Sequence, residues 1–526
     1  MKNKSDSKND QNSYQQDILS FLKKHVGKNY SAKEISHALQ VKKSDYHHFS
    51  EALQTLARKR KIIRFKGRRF GLPAALQKKR GVLQVTRKGF GFVMDEQSAE
   101  EYFIPAQHLN TAFDGDTVEI QLFAHSRGRS KEGEVMEVLQ RAHRNFVGTY
   151  HRSEYYGFVV PDNVRVYRDF YIPGAADSEA KDGQKVVVEF VRWEKASLNP
   201  EGKIIEILGF PDEPGVDVVS VVKGFELPLQ FPAKVEKAAR DIRFDLSPKV
   251  LEGRLDLREE ITFTIDPADA KDFDDAVSLK KLQNGNFSLG VHIADVSHFV
   301  EADSLLDKEA FTRGTSIYLV DRVVPMLPEH LSNELCSLQP HVPRLTFSCI
   351  MEMTPAGKVV DYTISPSVIN SKRRFAYEEV QEIIDNPQSR EPFAGQLREM
   401  RDFSRILKKR RMEKGSIDFE TPEVRFRLDE RGKPVEIIPI KRLQSHELIE
   451  EFMLMANQTV ASHIRKISTK GKNWPFIYRV HERPDPDKIE NFQRFLNALD
   501  FKIKIPKNIT PHQFQEILEQ VMGTKD

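Results

Sequence analysis

Five aspartates fall within ten positions of the stretch TIDPADAKDFDDAVSL: Asp266, Asp269, Asp272, Asp274 and Asp275. Neighbouring carboxylates repel and oppose one another's ionisation, and Lys271 is the only base among them. A cluster so costly to fold implies a compensating cation. Negatively charged oxygen donors suit Mg²⁺ or Mn²⁺. The alternation in EITFTID predicts a strand ending at Asp266, PADAKDF reads as a loop opened by proline, and DDAVSL resumes as a strand. Asp266 and Asp272 to Asp275 are expected to converge at this strand–loop–strand corner. An EF-hand loop is excluded: counted from Asp272, the required glycine is absent and the twelfth position is Gln283. A solvated acidic turn is the plain alternative, and Phe273 with its apolar flanks argues against it. A divalent cation at such a corner bridges a phosphate oxygen, activates water and steadies a leaving oxygen. It also shields an incoming phosphodiester from the acidic ligands.

Two other groups invite a chemical reading. His292, Asp295 and His298 stand at i, i+3 and i+6 in HIADVSHFV. Odd spacings in a strand point to opposite faces, so packing and supporting roles are expected rather than a metal site. The two cysteines, Cys336 and Cys349, have neither metal-ligand spacing nor a disulfide framework. Cys336 is expected to be a buried small hydrophobe rather than a nucleophile.

The elements that must position these residues fill a 526-residue chain, long enough for three or four domains at ~150 residues each. Net charge is only +4, but its distribution is uneven. Ala52 to Met94 contains thirteen Lys and Arg and no acid, densest at Arg58, Lys59, Arg60, Lys61, Arg64, Lys66, Arg68 and Arg69. Such a block reads as a polyanion footprint, with a solvated surface as the plain alternative. The polar start, MKNKSDSKNDQNSYQQ, lacks an apolar signal core, and no run of about 20 apolar residues occurs. A reduced, cytoplasmic protein with no membrane partner is expected.

Residues 1–13 read as a disordered tail. A winged-helix-like domain is predicted over 14–75, from DILSFLKKH, SAKEISHAL capped by Ser31 with Glu34, a third helix capped by Ser44, and the hairpin KIIRFKGRRFGL. A small helical interaction module is the alternative. Residues 79–140 and 144–210 are two copies of one short all-β unit. Gly91-Phe92-Val93 matches Gly157-Phe158-Val159, Ile104-Pro105 matches Ile172-Pro173, and Gly115 and Val118 match Gly183 and Val186. Each copy suits a five-stranded OB barrel. RKGFGFV is similar to the RNA-binding strand of cold-shock domains. Phe90, Phe92 and Phe103 are candidates to stack bases, with Arg87 and Lys88 on phosphates. Any single Phe fills a core more often than it binds a base. Pro211 and Pro214 open a linker, 211–254, into a mixed α and β region over 255–526.

The stretch RLDLREEITFTIDPADAKDFDDAVSL, with HIADVSHFV, RGTSIYLVDRVVPMLPEHLSNELCSL and SHELIEEFMLMAN, closely resembles the ribonuclease II/ribonuclease R family, and the likeness covers about residues 14–526. The resemblance implies a multidomain α+β protein: a helix-turn-helix-like start, two cold-shock barrels and a mixed α/β catalytic domain. It implies a processive, Mg²⁺-dependent hydrolysis of RNA from its 3′ end to nucleoside monophosphates. Mn²⁺ is the substitute ion. A non-enzymatic RNA-binding protein or chaperone is the alternative, and a DNA exonuclease is a third. The implied partners are single-stranded or 3′-overhang RNA and, beyond RNA, the ribosome or RNA-decay proteins, with the chain itself a monomer. The family's acidic set falls on Asp266, Asp272, Asp274 and Asp275, with Asp274 indispensable for chemistry and the others holding metal. Asp269 is left as loop solvation. Tyr318 and Phe419 match aromatics that clamp the 3′-terminal nucleotides, and Tyr377 a further aromatic along the RNA path. Glu450 matches a glutamate on the last nucleotide, with Glu451 the near alternative.

The resemblance also implies that the family's catalytic domain runs past this chain, to a motif Ser-Pro-x-Arg-Arg-Tyr and a further OB-type domain. On that basis a C-terminally truncated product is expected. It would bind RNA through residues 58–190, hydrolyse it poorly and aggregate, with Phe452, Leu454 and the helix near Phe492 exposed.

Overall fold

The computed structural model describes residues 5–521, apart from short stretches at 26–28, 59–60, 66–68, 72–77, 99, 124–130, 175–178, 418–422, 431, 469–473, 481–482, 502 and 507. It divides into two compact units, Met1–Leu227 and Pro228–Asp526. Among the described residues, no helix is long and apolar enough to cross a membrane.

In the first unit, helices Ser5–Lys24, Ala32–Ala38 and Tyr46–Arg58 accompany a three-stranded sheet with Arg69–Gly71 between Tyr30–Ser31 and Ile63–Phe65. Ile18, Leu22, Ile35, Phe49, Leu53 and Leu56 form its core. Ser31 Oγ accepts the Glu34 N–H at 3.2 Å and the Glu34 carboxylate accepts the Ser31 N–H at 2.6 Å, as the sequence predicts. Ser44 does not cap. It lies in a 3₁₀ turn, Lys43–Asp45, and donates to Asp45 Oδ1. The first helix starts inside the stretch read as a disordered tail. Once Ile18 and Leu22 bury one end, each added residue gains a hydrogen bond without a new nucleation cost, and residues 5–24 hold no Gly or Pro to stop it.

Two β-barrel units follow. The first orders its strands Glu101–Ile104, Gly91–Asp95, Lys78–Val85, Thr117–Leu122, Gly133–Gln140. The second is a closed barrel: Gly157–Pro161, Phe170–Ile172, Glu201–Gly209, Lys185–Arg192, Asn145–Arg152. The duplication extends to register, since Gly91 pairs with Ile104 and Gly157 with Ile172. Both glycines are sterically required: a Cβ would lie 2.8 Å from Leu83 at Gly91 and 2.4 Å from the Tyr150 ring at Gly157. The stretch read as a linker is partly helical, over Val216–Gly224 and Ala233–Asp241. Val216 and Val222 are buried in one, Val235 and Ala239 in the other. These apolar residues give each short helix a face to bury, which the flanking prolines obscured in the sequence.

The second unit is built on a seven-stranded sheet, ordered Leu255–Leu257, Val359–Asn370, Pro343–Met353, Phe287–Ala294, Asp275–Lys281, Phe263–Asp266, Arg373–Ala376. Phe263, Ile265, Val277, Leu289 and Met351 belong to one core with helices Tyr377–Asp385, Ala394–Glu413 and Gln444–Ile467. Ala276, Ala294, Leu345 and Val368 belong to another, with Phe299, Leu331 and Leu335. Phe452 is fully buried, contrary to expectation, because the helices at 394–413 and 444–467 pack on each other and place it near Phe403. Leu454 and Phe492 are half-buried.

Candidate active site

The strand Phe263–Asp266 ends at Asp266, and the strand Asp275–Lys281 begins at Asp275. The antiparallel pairing of Phe263 with Val277 brings their ends together. Four carboxylates therefore stand around one corner at graded depth: Asp266 is buried, Asp272 and Asp275 are half-buried and Asp274 is exposed. Burial, then the charges of Asp275 and Asp272, push Asp266 up to about 7, while the Thr264 hydroxyl and, less, Arg374 offset part of this. Burial and Asp274 push Asp275 up to about 6, and desolvation and Asp272 raise Asp274. Asp266 and Asp275 depart from the usual carboxylate range because charge is poorly solvated there.

Asp266 Oδ2 is buried with no hydrogen-bond partner. A buried anionic oxygen in that position is stable only when neutralised or paired, and a divalent cation meets the need with the donor chemistry on hand. The residues fit a divalent ion in charge and donor type. No three of the four bring ligand oxygens within 4.8 Å of one another. Among the described residues, the group that does is His47, His48 and Glu51, on the outer side of a helix in the first unit.

The loop between the strands is held by groups that the sequence reading passed over. Ser337 Oγ accepts the Phe273 N–H at 3.0 Å and donates to the Lys271 carbonyl at 2.9 Å. Arg374 Nη2 donates to the Pro267 carbonyl at 2.5 Å, and its guanidinium carbon lies 5.4 Å from the Phe273 ring centroid. Asp269 is not simply solvated, since Arg425 of the exposed ribbon Glu423–Leu428 pairs with it. An exposed pair of this kind contributes little to stability. The KRRF run at 372–375 was the available signal for Arg374, and the ELCSL run at 334–338 for Ser337; neither spacing announces a role.

The aromatic candidates separate. Tyr318 is exposed, and its hydroxyl donates to Asp272 Oδ2 at 3.3 Å. Tyr377 is half-buried and stacks on His446 at 4.1 Å and 19°. Burial, with Asp275 and Asp266, pushes Tyr377 up to about 12. Phe419 lies outside the described residues. The two glutamates also divide. Glu451 is buried and takes two hydrogen bonds from Arg411, at 2.9 and 2.7 Å. Glu450 is half-buried and pairs with Arg442 at 2.5 Å.

His292, Asp295 and His298 do not converge, but not for the strand reason: the strand ends at Ala294, Asp295 stands at the N-cap of a short helix, Val296–Phe299, and His298 lies in that helix. His292 is buried between Ser278 Oγ at 3.0 Å and Ser348 Oγ at 2.7 Å. Asp295 pairs with Arg254 at 2.6 Å, and His298 lines a separate cavity of about 520 Å³ with Asp245 and Lys249. Cys336 is buried, its thiol pushed up to about 12 by burial, which suits a packing role.

In the first unit, Phe90, Phe92 and Phe103 form a half-exposed triangle with centroids 5.3–5.7 Å apart. Arg87 and Lys88 stand exposed on the turn beside it. Arg58 is exposed, while Lys59 and Arg60 lie outside the described residues. Part of the basic block is consumed internally: Arg69 pairs with Glu34, Lys78 with Glu119 and Lys79 with Asp95.

These parts define a modular protein in which OB and cold-shock barrels precede a mixed α/β domain with an acidic corner. Family profiles match accordingly: Ribonuclease B OB domain at residues 81–138, Cold shock domain at 158–232 and RNB domain at 254–526. The chain belongs to the RNB family, with the ribonuclease R proteins. It is 42% identical over 447 residues to Ribonuclease R of Thermotoga maritima, covering 84% of this chain and 62% of that one. It is 35% identical over 530 residues to Ribonuclease R 1 of Lactococcus lactis subsp. lactis, covering 96% and 64%. The chain thus spans less than two thirds of the length of these relatives. Among solved structures, Mycoplasma genitalium RNase R in complex with ribose methylated single-stranded RNA has a TM-score of 0.72 and 27% identity, covering 85% of this chain and 70% of that one.

Proposed function

We propose that the protein is a divalent-metal-dependent exoribonuclease, using Mg²⁺ with Mn²⁺ as substitute, that shortens RNA from its 3′ end to nucleoside 5′-monophosphates. The contact of Tyr318 with Asp272 carries this reading. A base stacked on that exposed ring leaves its phosphodiester at the carboxylates. Asp266, Asp272, Asp274 and Asp275 are the residues that would hold the ion. Bound there, it supplies Lewis acidity and a water that is nucleophilic near neutral pH. Asp274, the outermost carboxylate, faces the incoming phosphodiester, and Asp266 lies deepest. Stacking on Tyr318 tolerates any base, which suits an end-directed enzyme. Glu450 can accept a hydrogen bond from the terminal ribose. Phe90, Phe92, Phe103, Arg87 and Lys88 form an RNA-binding surface on the first barrel. The ribonuclease R relatives, and the RNA-bound solved structure among them, support the substrate class.

One observation favours a second reading, in which the chain binds RNA without turnover: the four carboxylates are near one another but not drawn to one ligand sphere. Digestion of 3′-labelled and 5′-labelled RNA, with and without Mg²⁺, separates the two. The enzyme reading expects metal-dependent mononucleotides from the 3′ end. It also expects Asp274→Asn to keep RNA affinity while losing about 10²–10³ in rate. Salt-sensitive binding with no mononucleotide release in any metal supports the second reading.

A further inference from the structure

We propose that Arg374 is the positioning residue of the acidic corner, fixing the distance of Asp266 from Asp272, Asp274 and Asp275; this rests on the metal-site reading above. The candidate ligands stand on the two feet of one loop. Whether they can share an ion depends on how that loop is folded. Arg374 comes from the neighbouring strand, where it pairs in register with Thr264. Its Nη2 bonds the carbonyl of Pro267, the residue directly after Asp266. Its guanidinium lies by the ring of Phe273, the residue between Asp272 and Asp274. One planar group therefore touches both feet. Ser337 holds only the second of them, through Lys271 and Phe273.

The neighbouring cations do other work. Arg373 pairs with Glu379 and Glu391, and Lys372 donates to the Arg258 carbonyl. Arg374 forms no ion pair within 4.0 Å among the described residues, and its Nε is buried without a hydrogen-bond partner. It thus holds the loop through a carbonyl and a ring and leaves all four carboxylates open to a cation. Lysine cannot substitute. A single ammonium point has no plane to lay on Phe273 while it bonds Pro267.

Electrostatics and positioning predict opposite signs, which makes the proposal testable. Removing a positive charge beside a metal site tightens metal binding if charge alone matters. Losing a group that orients ligands weakens it, typically by about 10- to 100-fold. The experiment titrates Mn²⁺ alone into the full chain, reading free Mn²⁺ by electron paramagnetic resonance, with parent, Arg374→Met, Arg374→Lys and the double variant Asp266→Asn/Asp274→Asn. Far-ultraviolet circular dichroism checks folding. The expected result is Mn²⁺ affinity at least about tenfold weaker in both Arg374 variants, with the spectrum unchanged. If Arg374→Met does not fold, Arg374→Lys decides alone. Affinity held within about twofold, or tightened, in the folded Arg374 variants overturns the proposal, provided the double variant abolishes binding. If the double variant binds Mn²⁺ as the parent does, the metal-site reading fails first and Arg374 falls with it.

Discussion

The hydroxyl of Tyr318 donates to Oδ2 of Asp272 at 3.3 Å, so an exposed ring is tethered to the acidic corner. The tether and the ring make separable contributions. Tyr318→Ala is expected to lose the stacking surface and about 1–3 kcal/mol of affinity for the RNA 3′ end. Tyr318→Phe keeps the ring and is expected to lose less affinity than Tyr318→Ala, because the missing hydroxyl bonds the Asp272 carboxylate and the stacking surface is retained. Fluorescence anisotropy with short 3′-labelled RNA measures both, and equal losses in the two variants would mean the hydroxyl rather than the ring binds.

Ser337 is fully buried and satisfies the Phe273 N–H and the Lys271 carbonyl. Ser337→Ala strands both groups, at a cost of about 1–3 kcal/mol. Urea unfolding of the second unit's transition checks this, with Ser337→Cys expected to recover part of the loss.

His292 is 1% exposed, and burial holds its imidazole down at about 4, where the ordinary value is 6.5. The unfolded chain therefore binds the extra proton first as pH falls. The stabilising contribution is fully present above 6.5 and is lost as pH drops towards 4, amounting to ~3 kcal/mol at ~1.4 kcal/mol per pH unit. Urea midpoints between pH 7 and 4.5 are expected to fall less steeply in His292→Gln than in the parent. Parallel curves would show that another group governs acid stability.

The aspartates act with the opposite sign. Asp266 and Asp275 are raised in the fold to about 7 and about 6. Their ionisation opposes folding increasingly as pH rises from ~4 through those values, so the metal-free protein loses stability over that window. Mg²⁺ binds the ionised form and is expected to raise Tm more at pH 8 than at pH 5. Thermal scans at the two pH values, with and without Mg²⁺, measure this; an equal rise at both would remove Asp266 and Asp275 from the ion's ligands.

On the first barrel, Phe90, Phe92 and Phe103 offer one patch of ring surface. Phe90→Ala/Phe92→Ala is expected to weaken single-stranded RNA binding by about 1–3 kcal/mol per base unstacked, leaving the salt slope intact. Arg87→Ala/Lys88→Ala is expected to lower the slope instead. Filter binding from low to high salt distinguishes the two.

The local content of the molecule was legible in the residues. Alternation marked the strands that end at Asp266 and begin at Asp275, because side chains on a strand repeat every two residues. The Ser31–Glu34 box and the Gly91/Gly157 repeat were legible for the same reason: each is set by neighbours in sequence or by a steric need that only glycine meets. Where local rules compete, neighbours in sequence do not decide the element. The polar start joined a helix anchored by Ile18 and Leu22, and a proline-flanked linker carried two short amphipathic helices. Tertiary structure alone decided which of two adjacent residues is held by which partner. Glu451 is spent on Arg411 while Glu450 is not so buried, and Arg373 is spent on Glu379 and Glu391 while Arg374 spans the acidic loop. The partners of these pairs lie 6 to 107 positions away. Residue type sets what a side chain can bond, but strand pairing and helix packing set which partner comes within reach.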